Sequence, residues 1–419
     1  MTRSIRVEVL KKLARIDDVP LGWGLSTVGK VCSIENNLRK PISREERAVM
    51  HGEYPYYGPT GLLDYINEFR VEGRRALIGE DGDHFLKFAA APMTLLVEGK
   101  YNVNNHAHII ASTSKCLAEW FYLFFMHRDI THMLNRQGVG RYKLNKQTLA
   151  RLPIILPPIE EQSCIFATLS TWDRAIEKTE ALIEAKERRK KGLLQRLLTG
   201  KVRLGEFVQS DIKRSTKSYD LPKDWGYPTI GDVAQQISRK NTDGTSLPVL
   251  SCTKHSGLVD SMAYFGKQVY SKDLSTYKIA PRGAFVYATN HIEEGSIGVQ
   301  NLYDEAVISP MYTVFKTTNS VHDGFLFKLL KTEWYRHIFE VRTSSSVNRR
   351  GSLRWNEFAK INIPLPCMEE QEKLSEVLDM AVSEIQQLQG KLDALKEQKK
   401  GLMQQLLTGK VRVKIGETA

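Results

Sequence analysis

The chain has 419 residues, of which 42% are hydrophobic and 26% charged, and it carries a formal net charge of +12. That length and composition suffice for two ordinary hydrophobic cores. No run of 18 apolar residues occurs, and residues 1–15 lack the apolar core of a signal peptide, so we expect neither a membrane span nor export.

The charge and the cysteines indicate the environment in which the protein works. A net charge of +12 favours a polyanionic partner, most often nucleic acid. The five cysteines show no C-x-x-C spacing, which favours free thiols in a reducing compartment over a zinc site. We therefore expect a cytoplasmic protein without a metal site of its own.

The first predicted body extends from about Val19 to Leu152. Short β-like runs at 75–79, 93–97 and 108–110 alternate with turn residues, and 117–134 has a helical pattern. This mixture predicts an α+β domain with a curved sheet and one or two helices.

Three polar segments of this body are candidates for a site. Residues 80–84, Glu-Asp-Gly-Asp-His, have the composition of an acidic metal cluster, but around a glycine they are more often a turn. His106 and His108 alternate on a strand without a third ligand, which favours polar contacts, and Asn105 and His106 also suit hydrogen bonds to nucleic acid. The aromatic, turn-rich loop 54–61 can either reach DNA or pack on the sheet.

A basic loop precedes the closing segment of each half, at 136–143 and at 342–352. Small residues in these loops let backbone N–H groups approach phosphate, and Gln137 or Asn348 can address base edges. The alternative is that both loops are flexible and merely solvated.

A long helix with a heptad stripe follows the first body. The steps between apolar positions alternate between four and three residues, as in a coiled coil, and Gly200 supplies a stop signal. About 40 residues give a helix roughly 60 Å long, which needs another helix to cover its stripe. The stripe comprises Ile165, Leu169, Trp172, Ile176, Thr179, Ile183, Lys186, Lys190, Leu193 and Leu197.

The second half repeats this plan. Residues 353–412 align with 144–203 without a gap, and the opening at 21–31 recurs at 223–233. Between them, strand patterns at 283–287, 298–300 and 311–315 and a helical pattern at 325–341 predict a second α+β body. The second stripe comprises Leu374, Leu378, Ala381, Ile385, Leu388, Leu392, Leu395, Lys399, Leu402 and Leu406.

The length of the linker predicts how the two helices pair. About 25 residues separate Gly200 from Trp225, and in a parallel pair they would have to climb back roughly 60 Å, which is most of their extended reach. An antiparallel pair is therefore favoured, with the two bodies at its opposite ends. Lys186, Lys190 and Lys399 interrupt the stripes, either as register devices, which we favour, or to face phosphate.

Motifs for catalysis are missing from the sequence. There is no G-x-x-x-x-G-K-[ST] loop, no G-x-G-x-x-G, no Asn/Asp-Pro-Pro-Tyr/Phe and no acid-acid-lysine cluster of a nuclease. We therefore predict a non-catalytic chain. The alternatives are a self-contained DNA methyltransferase or nuclease with divergent motifs, or a coiled-coil adaptor that holds two protein-binding bodies.

The order of body, Pro-x-x-Glu-Gln, heptad helix and Leu-Leu-Thr-Gly-Lys, repeated once, resembles the specificity subunit of Type I restriction-modification systems. Its most specific pieces are 157–162 with 195–203, and 366–371 with 404–412. The resemblance implies target-recognition domains at 1–155 and 204–362, and spacer helices at 156–203 and 363–419. It also implies a bipartite DNA target, two methyltransferase subunits docked on the spacer and restriction subunits in the full complex. The chain itself would hold no cofactor, because S-adenosylmethionine and ATP with Mg²⁺ belong to the partners.

On these grounds two sets of residues are predicted to be functional. The DNA-binding set is Tyr57, Gly58, Thr60, Asn105, His106, Arg136, Gln137, Arg141, Lys143, Lys254, His255, Asn290, Arg342, Asn348, Arg349 and Arg350. The set on the spacer helices, for partner binding, is Glu161, Gln162, Ile165, Leu169, Trp172, Ile176, Glu370, Gln371, Leu374, Leu378, Ile385 and Leu388.

Overall fold

The computed structural model describes residues 3–14, 18–136, 142–208, 212–216, 220–254, 256–344 and 352–413. The chain divides into two compact units, one formed by Met1–Thr179 with Lys391–Ala419 and the other by Glu180–Gly390. Each unit therefore contains one body and a segment of each long helix.

The first unit alternates strands with short helices. Its strands are β1 (Gly24–Thr27), β2 (Ser33–Ile34), β3 (His51–Tyr57), β4 (Leu62–Ile66), β5 (Val71–Glu72), β6 (Arg75–Gly79), β7 (Asp81–Gly82), β8 (Thr94–Val97), β9 (Lys100–Val103), β10 (Ala107–Ala111), β11 (Asn135–Arg136), β12 (Tyr142–Lys143) and β13 (Pro153–Leu156). Its helices are α1 (Arg3–Ala14), α2 (Val28–Val31), α3 (Arg44–Val49), α4 (Ala118–Phe125), α5 (Lys146–Arg151) and α6 (Ile159–Leu197), the last of which ends in the second unit.

The second unit is built in the same manner. Its strands are β14 (Lys213–Ser215), β15 (Asp220–Pro222), β16 (Ala234–Ile237), β17 (Val249–Thr253), β18 (Gly257–Asp260), β19 (Lys278–Pro281), β20 (Phe285–Ala288), β21 (Ile297–Val299), β22 (Glu305–Ile308) and β23 (Tyr312–Thr317). Its helices are α7 (Ile230–Val233), α8 (Ser261–Phe265), α9 (Asp323–Leu330), α10 (Glu333–Ser344), α11 (Trp355–Phe358) and α12 (Met368–Leu407), the last of which ends in the first unit.

The two bodies share one topology although their sequences diverge. One sheet has the order β2-β10-β6-β8 in the first body and β16-β23-β20-β21 in the second. The other sheet has the order β4-β3-β9-β5 and β18-β17-β22-β19, with a parallel central pair in both. Taken in chain order, these strands correspond one to one, so each strand of these sheets in one body has an equivalent in the other.

The prediction of α+β bodies agrees with the model, but the prediction of a single curved sheet is wrong. Each body holds two four-stranded sheets with separate apolar clusters. Short strands, three to seven residues long in most cases, break the apolar pattern too often for one continuous sheet.

Two helices also differ from their predicted extents. The predicted helix at 117–134 ends at Phe125, because the Asp129 carboxylate accepts hydrogen bonds from the backbone and hydroxyl of Thr131 and holds a turn there. The predicted helix at 325–341 is two helices, α9 and α10. Thr332 separates them, since its hydroxyl donates to Leu329 O and its carbonyl accepts the first helical bond of α10, from Arg336 N.

The heptad stripes agree with the burial of the two long helices. Helix α6 has 39 residues and α12 has 40, and every stripe position in both is buried or half-buried. Gly200 and Gly409 follow the helix ends with φ of +67° each, as expected for left-handed C-terminal caps.

Contacts within each unit give the direction in which the helical segments pack. In the first unit Lys399 pairs with Asp173 and Arg412 with Glu161, so the residue number rises on one segment as it falls on the other. In the second unit Lys186 pairs with Glu384 and Arg203 with Glu370 in the same sense. The segments are antiparallel within each unit, and the pairing of Lys186 and Lys399 with opposite carboxylates supports their role as register devices.

A buried carboxylate joins each body to the start of its long helix. Glu161 has no exposed surface; it accepts a hydrogen bond from Trp23 Nε1 at 3.0 Å and is gripped by both arms of Arg412 at 2.6 Å. We call this group of three residues the clasp. Arg412 also lies over the Trp23 ring and donates to Leu21 O, which ties the segment after α12 to the opening of the body.

The second unit has the same clasp. Trp225 Nε1 donates to Glu370 at 3.0 Å, and Arg203 grips that carboxylate at 2.9 and 2.7 Å. Arg203 is more enclosed than Arg412, with a side chain 7% exposed against 42%, and it has a further partner in Asp224. The repeated Glu of Pro-x-x-Glu-Gln therefore connects a body to a helix.

The neighbouring glutamine completes this connection. The Gln162 carbonyl accepts from Leu117 N at 2.9 Å while its amide donates to Pro157 O, and Gln371 does the same with His322 N and Pro366 O. Both side chains are buried, so each satisfies backbone groups that would otherwise lack partners.

Among the described residues no helix combines the length and the apolar character needed to cross a membrane. The five cysteines are free thiols.

We predict that breaking the clasp destabilises the unit that contains it. Removing the arginine leaves a buried carboxylate without a counter-charge, so Arg203→Ala should lower the free energy of unfolding by about 3–5 kcal/mol. Arg412→Ala should cost less, about 1.5–3 kcal/mol, because Arg412 is more exposed and water can replace it. Urea unfolding followed by circular dichroism measures both.

The double variant Glu161→Gln with Arg412→Ala is the control, because the neutral amide needs no counter-charge. It should be less damaged than Arg412→Ala alone. Equal losses in the two would show that the buried charge is not the cause.

Candidate nucleic-acid interface

In the first body the turn after β6 brings several predicted DNA-binding residues together. Glu80 N donates to His106 O at 2.7 Å, and the His106 ring contacts Asp81 at 2.9 Å. The Arg39 guanidinium bridges this turn, donating to Glu80 at 2.7 Å and to Asn105 O at 2.9 Å. Asn105 and His106 therefore stand side by side on the surface, and both are exposed.

The hairpin of β11 and β12 lies beside the same turn. Lys143 pairs with Asp81 along the backbone, and its ammonium is 3.9 Å from Glu80. Arg136 pairs with Tyr142 on the neighbouring strand, with its guanidinium 5.8 Å from the ring centre. The structure thus unites Arg136 and Lys143 with Asn105 and His106. Gln137 and Arg141, between these strands, lie outside the described residues.

Residues 54–61 were predicted to form a loop, but only part of this stretch is one. Residues 54–57 belong to β3, and only 58–61 form the turn, closed by a hydrogen bond from Gly58 N to Gly61 O. Tyr57 packs edge-on against Tyr101, and Gly58 is buried so closely that a Cβ would lie 2.7 Å from Leu63. In this stretch Thr60 is the exposed member of the predicted set.

Two histidines beneath this surface are held neutral. His108 lies between Asn36 Nδ2 at 2.8 Å and Leu144 O at 2.6 Å, an arrangement that requires a proton on Nε2 and none on Nδ1. Burial lowers the pKa of His108 despite Glu80 nearby, and burial likewise lowers the pKa of His84, whose Nε2 has no hydrogen-bond partner. His108 is therefore a structural residue of this body.

The carboxylates of residues 80–84 do not converge on a common point. Glu80 faces Arg39 and Lys143, Asp81 faces His106, and Asp83 pairs with Lys87. In the described part of the chain, the group with metal-ligand spacing is His291, Glu293 and Glu294 on the second body. This group is largely exposed, and two of its members form an ordinary pair, His291 with Glu294.

In the second body the equivalent turns border a cavity of about 680 Å³. Asn290, a member of the predicted DNA-binding set, lines it together with residues outside that set. These are Gln236, Lys278, Thr289, Pro310, Met311, Thr313, Ser352, Arg354 and Trp355. Ser352 is the last residue of the predicted basic loop and Arg354 and Trp355 follow it closely, which is the signal that could have revealed them; nothing in the sequence marked Lys278.

The remaining predicted residues of the second body lie elsewhere or are not described. Lys254 occupies the turn between β17 and β18, where its carbonyl and that of Gly295 accept from Lys331. Arg342, near the end of α10, donates to the Glu357 carbonyl at 3.4 Å. The structure does not bring these two residues to the cavity. His255, Asn348, Arg349 and Arg350 lie outside the described residues.

The structure gives most of the predicted partner-binding residues an intramolecular place. Glu161, Gln162, Glu370 and Gln371 are fully enclosed in the clasps and their neighbouring bonds, which leaves them no surface for a partner. The stripe residues Ile165, Leu169, Leu374 and Leu378 are buried in their own unit, whereas Trp172, Ile176, Ile385 and Leu388 are half-buried.

Two bodies of one topology, each presenting different polar groups at equivalent turns, define a duplicated recognition protein. The family model described as "Type I restriction modification DNA specificity domain" matches residues 20–187 and again 201–397, and the chain belongs to this family. It is 26% identical over 416 residues to the Type I restriction enzyme MjaVIII specificity subunit of Methanocaldococcus jannaschii, covering 94% of each chain.

A solved structure has the same fold. The Type I restriction-modification system S subunit from M. genitalium superposes with a TM-score of 0.55 at 13% identity, over 93% of this chain and 96% of that one. The duplicated fold therefore persists where little of the sequence does.

We predict that His108 makes the first body less stable in acid. The pKa of His108 is lowered in the folded protein. Below a pH of about 6.5, the ordinary pKa of histidine, the unfolded chain therefore binds a proton at His108 that the folded chain does not bind. The stability that neutral His108 provides is present above that pH and is lost as the pH falls through it. The advantage of the wild type over His108→Gln in unfolding free energy should therefore shrink between pH 7.5 and 5.5. A constant difference across that range would contradict the assignment.

Proposed function

We propose that this chain, as a Type I specificity subunit, reads a bipartite DNA target with one body for each half. The observation that supports this most directly is the shared topology with different residues at equivalent turns. One geometry then presents two different sets of hydrogen-bonding groups, as the reading of two different half-sites requires. The net charge of +12 provides the attraction to the phosphate backbone.

The chain recognises DNA, and the chemistry belongs to its partners. We propose that two methyltransferase subunits dock on the long helices, that restriction subunits complete the complex, and that these partners bind S-adenosylmethionine and ATP with Mg²⁺. The exposed faces of α6 and α12 remain available for docking, since the clasps already occupy the Glu-Gln residues. Such a complex works in the cytoplasm, where the chromosome is.

The helices also suit the role of a spacer. We propose an antiparallel coiled coil made by 156–203 and 363–419, separating recognition domains at 1–155 and 204–362. The antiparallel contacts within each unit support it, as do the continuous stripes. The spacer would then set the gap between the two half-sites.

Mapping of methylated bases tests the proposed function. Cells that express the chain with its methyltransferase should methylate one split motif, with two fixed parts and a gap of unspecified bases. Cells that express the methyltransferase alone are the control and should lack that motif. A motif that persists without this chain, or one without a gap, would contradict the proposal.

Lengthening the spacer tests its role as a ruler. One heptad inserted after Ile176 and one after Ile385 keeps both stripes in phase and adds about 10 Å. The gap in the motif should grow by up to ~3 base pairs, at roughly 3.4 Å each, with both half-sites unchanged. Long-read mapping of methylated sites measures the gap.

The control carries the heptad in α6 alone, which leaves the two helices unequal and should prevent assembly with the methyltransferase. Light scattering of the purified complexes, with two methyltransferase copies expected for the matched insertion, separates the two cases. A matched insertion that assembles and leaves the gap unchanged would overturn the ruler.

A further inference from the structure

The cavity of the second body has an equivalent place in the first body, and the backbone shows which residues correspond. Leu144 N donates to Glu80 O at 2.7 Å, and Leu353 N donates to Thr289 O at 2.7 Å. Leu144 and Leu353 also occupy matching positions of the repeated segment. Thr289 therefore stands where the first body has Glu80, and Asn290 stands where it has Asp81.

This exchange changes the charge of the site. In the first body Glu80 faces the cations Arg39 at 2.7 Å and Lys143 at 3.9 Å, and Asp81 lies 2.9 Å from the His106 ring. Thr289 and Asn290 in the second body are uncharged. The first body thus has a carboxylate at both of these positions, one of which faces Arg39 and Lys143, whereas the second body has no acid at either position.

Two cations of the second body are consequently left for a ligand. Within the part of the chain that the structure describes, neither Lys278 nor Arg354 has a carboxylate within 4.0 Å. The Lys278 ammonium donates to Tyr312 O, and burial, together with the charge of Lys240, lowers the pKa of Lys278. Arg354 adds a second positive charge that also lacks a counter-ion among the residues that the structure describes. Binding of an anion in this cavity is therefore favourable.

The same cavity presents amides whose hydrogen-bonding groups are free. Among the described residues, the side chains of Asn290 and Gln236 make no hydrogen bond to the protein, although both line the cavity. An amide offers one donor and one acceptor side by side. It matches the N6 and N7 edge of adenine in the major groove better than any other base edge.

We propose that the cavity of the second body holds DNA through both groups. Lys278 and Arg354 bind backbone phosphate, and the amide of Asn290, with Gln236 beside it, reads an adenine in one half-site. The inference rests on the proposed function and deepens it by naming one base and the residues that read it. It also makes the two bodies unequal, because the first has Glu80 and Asp81 at this turn where the second has Thr289 and Asn290.

Binding of the reconstituted complex to DNA that carries the wild-type motif tests the phosphate contacts. Lys278→Ala and Arg354→Gln should each weaken binding to all sequences alike and reduce the log–log salt slope by about 0.9. Lys278→Arg should keep the slope of the wild type. Lys272→Ala, which removes an exposed charge of the same body outside the cavity, is the matched control and should leave the slope within error.

Methylation mapping with Asn290→Ala tests the base contact. Discrimination at one A·T pair should fall by about 5- to 150-fold, in one half-site only, without a change in salt slope. Thr289→Glu with Asn290→Asp restores the acids of the first body and should abolish binding at moderate salt. Thermal unfolding confirms that each variant is folded.

The outcomes separate the inference from the function on which it rests. If the wild-type complex methylates no split motif, the proposed function fails first. The adenine contact is overturned if the wild-type complex methylates a split motif and Asn290→Ala leaves that motif unchanged. It is also overturned if Asn290→Ala relaxes discrimination at a G·C pair instead. If Lys278→Ala and Arg354→Gln behave as Lys272→Ala does, the phosphate contacts are overturned.

Discussion

A fully buried carboxylate at the start of each long helix is the interaction on which the remaining structure depends. An ionised glutamate without water is tolerated only when strong donors surround it. Glu161 and Glu370 each receive an indole N–H and a bidentate guanidinium, supplied by segments far apart in sequence. Because no single segment can satisfy the carboxylate, the opening of a body, its helix and the chain after the other helix must come together.

The clasps explain how the bodies can diverge. Part of what holds a body in place lies at its two ends, where β1 pairs with β13 and where Gly226 and Thr229 pair with the segment before α12. The residues between those ends have to preserve two small sheets and their order, which many apolar sequences can do. The charge of the turns at the strand ends can therefore differ between the bodies, as it does at the equivalent positions Glu80 and Thr289.

The sequence predicted what is periodic or repeated. A stripe sustained over ten positions predicted both long helices, and the gapless alignment of 144–203 with 353–412 showed the two halves. It did not predict details set by single contacts, such as the turn that Asp129 makes after α4 or the break at Thr332. Glu161 and Gln162 were expected to face a partner because they belong to the repeated Pro-x-x-Glu-Gln element of the family that the chain resembles, and only packing shows that they are enclosed. Lys278 could not be found, since a lysine within an apolar strand carries no pattern, and the residues that make it notable come from four distant segments.

Repetition of the clasp also has a consequence for inheritance. The segments that carry a buried Glu-Gln pair and its long helix, 144–203 and 353–412, align without a gap and both end in Leu-Leu-Thr-Gly-Lys-Val-Arg. Because both clasps use a tryptophan, a glutamate and an arginine, a body with matching ends can replace another while the buried contacts at its borders are kept. A cell could thus recognise a different DNA sequence after one genetic event, without any change in the partner subunits.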